Sequence, residues 1–394
     1  MVKQTQTAWF VVVALLALIW QSLSMNVLAA GEPWNRWVID DQFEGADGVR
    51  LADVNHDGLP DITTGWEESG LIRLYVHPGY DAVRKPWPVV ILAKAKSPED
   101  AVACDLDGDG RLDVVSCHEG RQREVLVHWN NMSFAHTQTA LDPNSWSTSR
   151  FKQVDGDQWM FAVPMGLING RVAMALGSKN QKASITLLLS PEDDHRDLRR
   201  WQVIRLRDAG WIMSLQAMDM NADGLVDLVF TDRKGPTRGA AWLQQPIAFD
   251  DVWTEHPIGG SGEEVMFLTA SPQRCLVATR NGHYWDCQRA DTGWRVDKHP
   301  NPRGLIMGKA IASMGQGRLV MTLNTLFEEL QGKPVARPGI WVQDAARSWH
   351  PIDPTTRTKF DRIELLDMDH DGDLDVLTCE ERRNLGVIWY ENPG

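Results

Sequence analysis

Short apolar runs follow one another from residue 30 to the C-terminus, and each is bounded by Gly, Asn, Asp or Pro. The apolar positions lack helical spacing, so the pattern predicts short β-strands joined by turns. One class of run is rich in aromatic residues, for example Val127-His128-Trp129 and Ile388-Trp389-Tyr390. A run led by Trp follows it in most cases, as in Trp201-Gln202-Val203-Ile204.

An Asp-rich turn marks a repeat. The pattern Asp-x-Asp/Asn-x-Asp-Gly-x-x-Asp begins at residues 53, 105, 219 and 367, so its copies are 52, 114 and 148 residues apart. These spacings are close to one, two and three units of roughly 50 residues. Strand-like runs without the acids occupy the places of three missing copies, at Met165–Leu176, Ala270–Thr279 and Ser313–Thr322. The chain therefore contains seven units of four strands.

Seven four-stranded units predict an all-β protein, a seven-bladed β-propeller of antiparallel blades over residues 30–394. The chain stops in the third strand of the seventh unit, and a Trp-led run stands at Trp34–Ile39. We expect this N-terminal strand to complete the last blade and leave no open sheet edge. The second unit has only Phe134 at its Trp-led position. A mixed or two-domain arrangement is the alternative.

The Asp-rich turns have the chemistry of calcium sites. Oxygen ligands at positions 1, 3, 5 and 9, with a turn-forming Gly at position 6, can surround a hard cation, and calcium accepts six to eight oxygens in flexible geometry. An EF-hand is excluded because position 12 is never Glu. The alternative is an Asp-rich turn without an ion. The predicted ligands for up to four Ca²⁺ are Asp53, Asn55, Asp57 and Asp61; Asp105, Asp107, Asp109 and Asp113; Asp219, Asn221, Asp223 and Asp227; and Asp367, Asp369, Asp371 and Asp375.

These turns, the strand Trp389-Tyr390-Glu391-Asn392-Pro393 and the Trp-led strands resemble FG-GAP/VCBS repeats. Related repeats form the propeller of integrin α chains, where such loops bind Ca²⁺. The resemblance implies a propeller fold and structural calcium in the four loops. It implies little about a ligand or a reaction.

The N-terminus has the pattern of a secretory signal peptide over residues 1–29. Lys3 is the basic residue, Ala8–Trp20 is apolar, and Val27-Leu28-Ala29 supplies small residues for cleavage. The pattern predicts a secreted, periplasmic or cell-surface protein without a membrane span in its mature chain. An uncleaved anchor is the alternative.

The net charge of −13 does not require a basic partner. The four loops contain 15 Asp, and four Ca²⁺ would add +8 and leave −5. No basic patch of a nucleic-acid-binding protein is present in the sequence. The five cysteines lack Cys-x-x-Cys spacing, so buried free thiols are a better expectation than a zinc site.

A ligand is expected on the face away from calcium. Strand direction alternates within a blade, so the loops between strands 2 and 3 and the blade-to-blade connections lie opposite the Asp-rich loops. Unlike most Trp, Trp66, Trp146 and Trp211 fall outside the repeated strand positions and are expected on this face, while Trp159 is ambiguous. Exposed Trp can stack on sugars or cations. The alternative is that these rings fill gaps between blades and that the charged loop residues are only solvated. The candidate ligand contacts are Trp66, His118, Glu119, Trp211, Asp232, Arg233, Arg280 and Glu380.

Three functions fit these patterns. The first is binding of an extracellular glycan or protein. The second is a carbohydrate lyase or dehydratase, because aldos-2-ulose dehydratases carry similar propellers and His118-Glu119 with Glu380-Glu381 would allow acid–base chemistry if they converged. The third is a purely structural surface module.

Overall fold

The computed structural model describes residues 33–132, 140–248, 251–260, 262–325, 338–355 and 359–394. Within these ranges the chain forms seven antiparallel sheets of four strands each. The predicted seven-bladed propeller is therefore confirmed. The predicted signal peptide, Phe134 and most of the loop between the second and third strands of the sixth blade lie outside the described residues.

The chain enters the fold with β1, Asn35–Asp40. Blade 1 consists of β2 Ala46–Ala52, β3 Asp61–Trp66, β4 Leu71–Tyr75 and β5 Val89–Lys94. Blade 2 consists of β6 Pro98–Cys104, β7 Asp113–His118, β8 Val125–Asn130 and β9 Trp146–Arg150. Blade 3 consists of β10 Gln158–Ile168, β11 Arg171–Lys179, β12 Ser184–Leu189 and β13 Gln202–Asp208. Blade 4 consists of β14 Ile212–Met218, β15 Asp227–Asp232, β16 Gly239–Gln244 and β17 Thr254–Gly259.

Blade 5 consists of β18 Val265–Ala270, β19 Arg274–Thr279, β20 His283–Arg289 and β21 Trp294–Pro300. Blade 6 consists of β22 Gly308–Gly315, β23 Arg318–Leu323, β24 Ile340–Gln343 and β25 Trp349–Pro351. Blade 7 consists of β26 Phe360–Leu366, β27 Asp375–Glu380 and β28 Gly386–Glu391, with β1 as its fourth strand. The first strand of each blade contacts the first strand of the next, and β26 contacts β2, so the first strands form a closed ring around the axis.

The N-terminal strand closes the last blade, as expected. It runs antiparallel to β28, with Asn35 opposite Glu391 and Trp37 opposite Trp389. The end of β1 is also tied to the first blade. The Asp40 carboxylate accepts hydrogen bonds from the Arg73 guanidinium and, at 2.7 Å, from the Tyr75 hydroxyl. A buried ion pair thus joins blade 7 to blade 1.

Apolar side chains fill the spaces between blades. The predicted aromatic runs are the third strands, and the indoles of Trp285, Trp341 and Trp389 on them are at most 1% exposed. All five cysteines are free thiols, four of them buried. In the described part of the chain, no helix has the length and apolar character needed to span a membrane.

The expectation for Trp146 was wrong. It was assigned to a connection between blades, but it is the first residue of β9, the fourth strand of blade 2. Its indole is 8% exposed and donates to the Ala140 carbonyl at 3.1 Å. The connection after β8 is long, so the Trp-led strand comes later in this unit than its spacing in the other units suggests.

The Asp40–Arg73 pair supports a stability prediction. Asp40→Ala leaves a guanidinium that is 4% exposed without its carboxylate, and breaking a buried pair costs about 3–5 kcal/mol. We expect a corresponding loss of unfolding free energy in urea titrations. Asp41→Ala, at the exposed next residue, is the control and should change the unfolding free energy by less than about 0.5 kcal/mol. Equal effects of the two variants would contradict the proposed tie between the blades.

Candidate functional site

The Asp-rich loops connect the first and second strands of blades 1, 2, 4 and 7, and all four lie on one face. In blade 1, Asp53 accepts hydrogen bonds from the backbone N–H of Asp57 at 3.0 Å and of Gly58 at 2.9 Å. Gly58 has φ 86°, in the left-handed region that Gly adopts without strain. The other three loops repeat the bond between the first Asp and the Gly at position 6, at 2.9 to 3.1 Å.

The carboxylate at position 9 stabilises each loop by accepting hydrogen bonds from two backbone N–H groups. In blade 1 the two oxygens of Asp61 accept the backbone N–H of His77 and of Val54, both at 2.9 Å. Asp113, Asp227 and Asp375 make the same two bonds at 2.8 to 3.2 Å. These hydrogen bonds link each loop to the end of the third strand, at its last residue in blade 2 and one or two residues beyond it in blades 1, 4 and 7. Position 9 therefore has a structural role that the sequence motif does not reveal.

Burial raises the pKa of these bracing carboxyls despite their hydrogen bonds. The pKa of Asp61 rises to about 6, and those of Asp113 and Asp375 rise to about 7. Neighbouring aspartates of the same loop add to the rise. A nearby cation would relieve both effects.

The loop carboxylates fit a metal ion in at least two blades. Oxygens of Asp105, Asp107 and Asp113 lie within 4.8 Å of one another, and so do oxygens of Asp367, Asp369 and Asp371. Asp369 Oδ1 is buried and has no hydrogen-bond partner. Such an oxygen-only donor set with an unpaired buried oxygen suits a hard cation.

Arginines from neighbouring blades reach two of these loops. Arg196, before β13 of blade 3, contacts Asp107 Oδ2 at 2.5 Å, and Arg84, before β5 of blade 1, contacts Asp369. These arginines balance part of the loop charge, which the sequence estimate assigned entirely to calcium.

A cavity of about 290 Å³ opens at the centre of the opposite face, and we call it the funnel. Every first strand carries a register irregularity near its start, at the funnel. At a β-bulge, two residues of one strand lie opposite a single residue of the neighbouring strand. The bulge therefore changes the direction in which side chains point. The residues at these bulges that line the funnel are Gly48, Glu99, Met160, Met213, Met266, Phe267, Lys309, Asp361 and Arg362.

Charge is unevenly distributed around the funnel. Seven acidic and seven basic side chains line it, so the local electrostatic potential depends on which of them form ion pairs. All seven acids come from blades 7, 1 and 2: Asp47, Glu67, Glu99, Asp100, Glu119, Asp361 and Glu381. Blades 3 to 6 and their connections contribute Met and aromatic side chains together with Lys179, Arg233, Arg280 and Lys309. The funnel thus has an acidic side and an apolar, cationic side.

On the acidic side, lysines pair with some of the carboxylates. Lys309 contacts Asp361, and Lys359 contacts both Asp361 and Glu381. Burial raises the pKa of Asp47 well above its ordinary range, and the negative charge of Asp361 raises it further. Burial likewise raises the pKa of Glu67 to about 7, helped by the charge of Glu99.

On the cationic side, Trp211 is surrounded by positive charge. The charged groups of Lys179, Arg233 and Lys234 lie 4.8, 4.6 and 4.3 Å from the centroid of its indole. Both Trp211 Nε1 and Arg233 Nε are buried donors without a hydrogen-bond partner. Glu264 is 3.6 Å from Arg233 and 3.4 Å from Arg280, so one carboxylate is shared by two guanidiniums.

Comparison with known proteins supports the repeat. Residues 53–116, which span the first two Asp-rich loops, match the model of the FG-GAP-like repeat. The propeller therefore contains an FG-GAP-like repeat in its first two blades. No curated protein sequence matches this propeller.

Solved structures with the same fold are distant in sequence. Sqt1 of Saccharomyces cerevisiae is 11% identical with a TM-score of 0.54, over 92% of this chain and 100% of that one. YCF48 from Cyanidioschyzon merolae is 10% identical with a TM-score of 0.55, over 92% and 99%. A structure of YCF48 bound to D1 peptide is 11% identical with a TM-score of 0.54, over 92% and 96%. At these identities the likeness shows the fold alone.

Four of the eight predicted ligand contacts line the funnel of this propeller: Glu119, Trp211, Arg233 and Arg280. The other four are buried beside it: Trp66, His118, Asp232 and Glu380. Each of these four is the last residue of a second strand. The next residue, Glu67, Glu119, Arg233 or Glu381, lines the funnel. Successive side chains of a strand point to opposite sides of the sheet. The last residue of these four second strands is therefore buried, whereas the next residue lines the funnel.

The buried four have structural contacts. The Trp66 indole donates to the Tyr75 hydroxyl at 2.9 Å, so it fills the space between blades and offers no stacking surface. Asp232 accepts the backbone N–H of Trp211 at 2.8 Å, and Glu380 accepts that of Arg383 at 2.8 Å. The two acids thus hold loops that border the funnel. Trp159 is also buried, 1% exposed.

His118 belongs to a buried hydrogen-bonded chain. Its Nδ1–H donates to the Lys96 carbonyl at 2.9 Å, which leaves Nε2 to accept from the Ser116 hydroxyl at 2.8 Å. His128 Nε2–H then donates to Ser116 Oγ at 2.9 Å, and its Nδ1 accepts from Thr148 Oγ1 at 3.0 Å. Both rings are neutral in this arrangement. The expected acid–base group of His118-Glu119 with Glu380-Glu381 therefore does not assemble, because only Glu119 and Glu381 reach the funnel.

Sequence reasoning missed the funnel-lining residues at or directly beside the bulges, although the repeat indicates their positions. Asp47, Glu99, Met213 and Asp361 each stand six residues before the first Asp of a loop, and all four line the funnel. The residue after the second strand gives a similar signal. Both positions can be found from the repeat once the strand ends are known.

The histidine chain predicts a loss of stability in acid. Burial lowers the pKa of His118 to about 4 and that of His128 to about 3, whereas an unfolded histidine titrates near 6.5. Their contribution is therefore complete above pH 6.5 and is lost as the pH falls, at about 1.4 kcal/mol per pH unit for each histidine. We expect His128→Gln to flatten the dependence of unfolding free energy on pH between about 6 and 4. His299→Gln, on the outer strand β21, should leave that slope unchanged; an unchanged slope in His128→Gln would refute the assignment.

Proposed function

We propose that this FG-GAP-like propeller is an exported, calcium-stabilised protein that binds a ligand carrying carboxylate or sulfate oxygens, such as an acidic glycan, in the funnel. The observation that carries the proposal is the pair of unpartnered buried donors, Trp211 Nε1 and Arg233 Nε, on the cationic side of the funnel. A buried donor without a partner costs about 1–3 kcal/mol, which a ligand oxygen would recover.

The surroundings of these donors favour an anionic, partly apolar ligand. Lys234 adds positive charge on the same side, and Lys179 and Arg280 add charge that acidic neighbours balance in part. Met213, Met266 and Phe267 supply apolar surface. A sugar ring has an apolar face and polar edges, and an acidic substituent on the ring would form ion pairs with Arg233 and Arg280. Charged groups that converge in a concave site at the propeller centre are typical of a ligand site.

Calcium would stabilise the face away from the ligand. The loop oxygens of blades 2 and 7 converge, and the four loops share one backbone arrangement, so one ion in each loop of blades 1, 2, 4 and 7 fits them. Export is proposed because residues 1–29 have the pattern of a signal peptide, and extracellular calcium is abundant enough for weak sites with Kd near 10⁻⁴–10⁻³ M, on the order of known extracellular modules.

The lyase or dehydratase alternative lacks its expected acid–base group, because His118 and Glu380 are engaged away from the funnel. A purely structural module would not account for the two unpartnered donors. Binding therefore remains the function that the geometry supports best.

Calcium binding predicts a concentration-dependent melting temperature. With Kd near 10⁻³ M, about 10 mM Ca²⁺ would stabilise the fold by about 1.4 kcal/mol for each filled loop. We expect EDTA to lower Tm in scanning calorimetry and excess calcium to restore it. Asp57→Asn should reduce the calcium-dependent part of Tm, while Asp291→Asn, in an exposed turn on the same face, should not. Identical melting curves in EDTA and calcium would rule out the calcium sites.

Ligand binding predicts that uronate- or sulfate-bearing oligosaccharides bind the propeller in isothermal titration and that neutral ones bind far more weakly. Trp211→Phe keeps the aromatic ring and removes the N–H, so we expect about 10-fold weaker binding, since a hydrogen bond to a charged group contributes about 1.5–3 kcal/mol. Trp294→Phe, on the outer strand β21, is the matched control and should bind as wild type does.

Equal affinity in both Trp variants would place the ligand elsewhere. Binding of an acidic peptide instead of any oligosaccharide would replace the glycan by a protein partner. Absence of binding to all of these probes would favour the structural module.

A further inference from the structure

We propose that the acidic side of the funnel binds one divalent cation, with Asp47 as the central ligand and Glu67 and Glu99 beside it. This would be a fifth cation site, on the face opposite the four Asp-rich loops. The inference deepens the proposed function, on which it rests for its purpose, because an ion there would sit in the same funnel as the acidic ligand.

The three carboxylates have the geometry of a cation site. Ligating oxygens of Asp47, Glu67 and Glu99 lie within 4.8 Å of one another. Two oxygens on opposite sides of one Ca²⁺ are about 5 Å apart, since each bond is about 2.3–2.6 Å. Asp47 also belongs to a second such group with Asp361 and Glu381, so it is the carboxylate common to both.

Asp47 is a buried carboxyl group without a contact partner among the described residues. Its side chain lines the funnel, the residue is 9% exposed, and among the described residues its carboxylate has no hydrogen bond or contact ion pair, although the charge of nearby Lys359 lowers its pKa. An ionised carboxylate taken out of water without a partner is costly, and such groups are found paired or bound to metals. The carboxylate therefore points to a ligand that supplies positive charge.

Charge balance indicates the size of that positive charge. Lysines contact the neighbours of Asp47: Lys309 and Lys359 contact Asp361, Lys359 also contacts Glu381, and Lys179 contacts Glu99. Within the described ranges neither Glu67 nor Asp47 forms a contact ion pair; Lys359 acts on both from a distance, while its contacts are with Asp361 and Glu381. Lys179 also contacts Glu119, and Arg382 also contacts Glu381. Six acids (Asp47, Glu67, Glu99, Glu119, Asp361 and Glu381) therefore face four bases (Lys179, Lys309, Lys359 and Arg382), and one divalent cation would neutralise the difference of two charges when all six acids are ionised.

The backbone brings these side chains together from two blades. Asp47 precedes the bulge of β2, where Gly48 has φ 76°, and Glu99 lies in the bulge of β6. Glu67 follows β3, and its N–H donates to the Gly45 carbonyl at 2.6 Å. The site is therefore formed by two first-strand bulges and one loop between second and third strands, the elements that shape the funnel throughout.

The source of the positive charge decides between two chemistries. Three oxygen donors around one point suit a hard ion such as Ca²⁺, Mg²⁺ or Mn²⁺. An ammonium group on an organic ligand would also neutralise the carboxylates, and metal binding without any organic ligand separates the two.

The test counts ions in the full-length protein. Equilibrium dialysis against Mn²⁺ or Ca²⁺, followed by elemental analysis, should give one more bound ion per chain for wild type than for Asp47→Asn. We expect the funnel ion to bind at least 10-fold more weakly in Asp47→Asn and in Glu67→Gln. Glu68→Gln, an exposed neighbouring acid, is the matched control and should keep the full count.

Thermal unfolding provides a second measurement. Because Asn has nearly the shape of Asp and carries no charge that burial would penalise, the Tm of Asp47→Asn in EDTA should equal or exceed that of wild type, and its gain from added metal should be smaller. This combination distinguishes loss of an ion site from simple loss of folding. Equal ion counts and equal metal-dependent gains in wild type, Asp47→Asn and Glu67→Gln would overturn the proposal.

The outcomes separate this inference from the proposed function. Loss of one ion in Asp47→Asn, with no oligosaccharide bound by wild type, would retain the cation site and reject the glycan. Acidic oligosaccharide binding that is the same in EDTA, with equal ion counts in all variants, would retain the glycan and reject the cation site.

Discussion

The pairing of β1 with β28 is the constraint on which the other features depend. A propeller sheet has no stable end of its own, because each blade packs its faces on two neighbours and its last strand exposes unpaired backbone groups. Here the strand from the N-terminus supplies the fourth strand of blade 7, and Asp40 at its end joins Arg73 and Tyr75 of blade 1. The ring of first strands, and with it the funnel, can have a fixed width only because this closure holds.

The closed ring separates two kinds of chemistry on opposite faces. Antiparallel strands place the loops after the first strands on one face and the loops after the second strands on the other. Asp-rich turns braced by buried carboxylates such as Asp61 hold the first face rigid. The bulged starts of the same first strands, for example at Glu99 and Met213, point side chains into the funnel on the second face. One strand thus contributes to both faces without direct contact between the two sites.

Within the funnel, unpaired groups are more informative than charged groups. Most of its charges are matched, as in the contacts of Asp361 with Lys309 and of Glu381 with Lys359. Paired charges stabilise the wall of the funnel and need no ligand to balance them. The exceptions lie on opposite sides: the donors Trp211 Nε1 and Arg233 Nε on one, and the carboxyl groups of Asp47 and Glu67 on the other. A ligand with acceptor oxygens and a cation beside it would satisfy both sides in the same small volume.

The sequence by itself determined the repeat, and through it the fold. The Asp-rich turns, the aromatic third strands and the Trp-led fourth strands recur once per four-stranded unit, which is the pattern of a closed ring of such units. The same pattern places the fourth strand of the last blade at the N-terminus. It also determined which face each loop occupies, because strand direction alternates. These properties follow from local pattern and connectivity, which the chain carries in its order of residues.

Only the tertiary structure decided which side chains reach the funnel. Neighbouring residues such as His118 and Glu119, or Glu380 and Glu381, look equivalent in a charged loop, yet the first of each pair is buried and the second lines the cavity. Side chains alternate between the two sides of a strand, so the outcome depends on where the strand ends, to within one residue. The bulges that bring Asp47 and Glu99 together depend on contacts between blades that are distant in the chain, and no local pattern records those contacts.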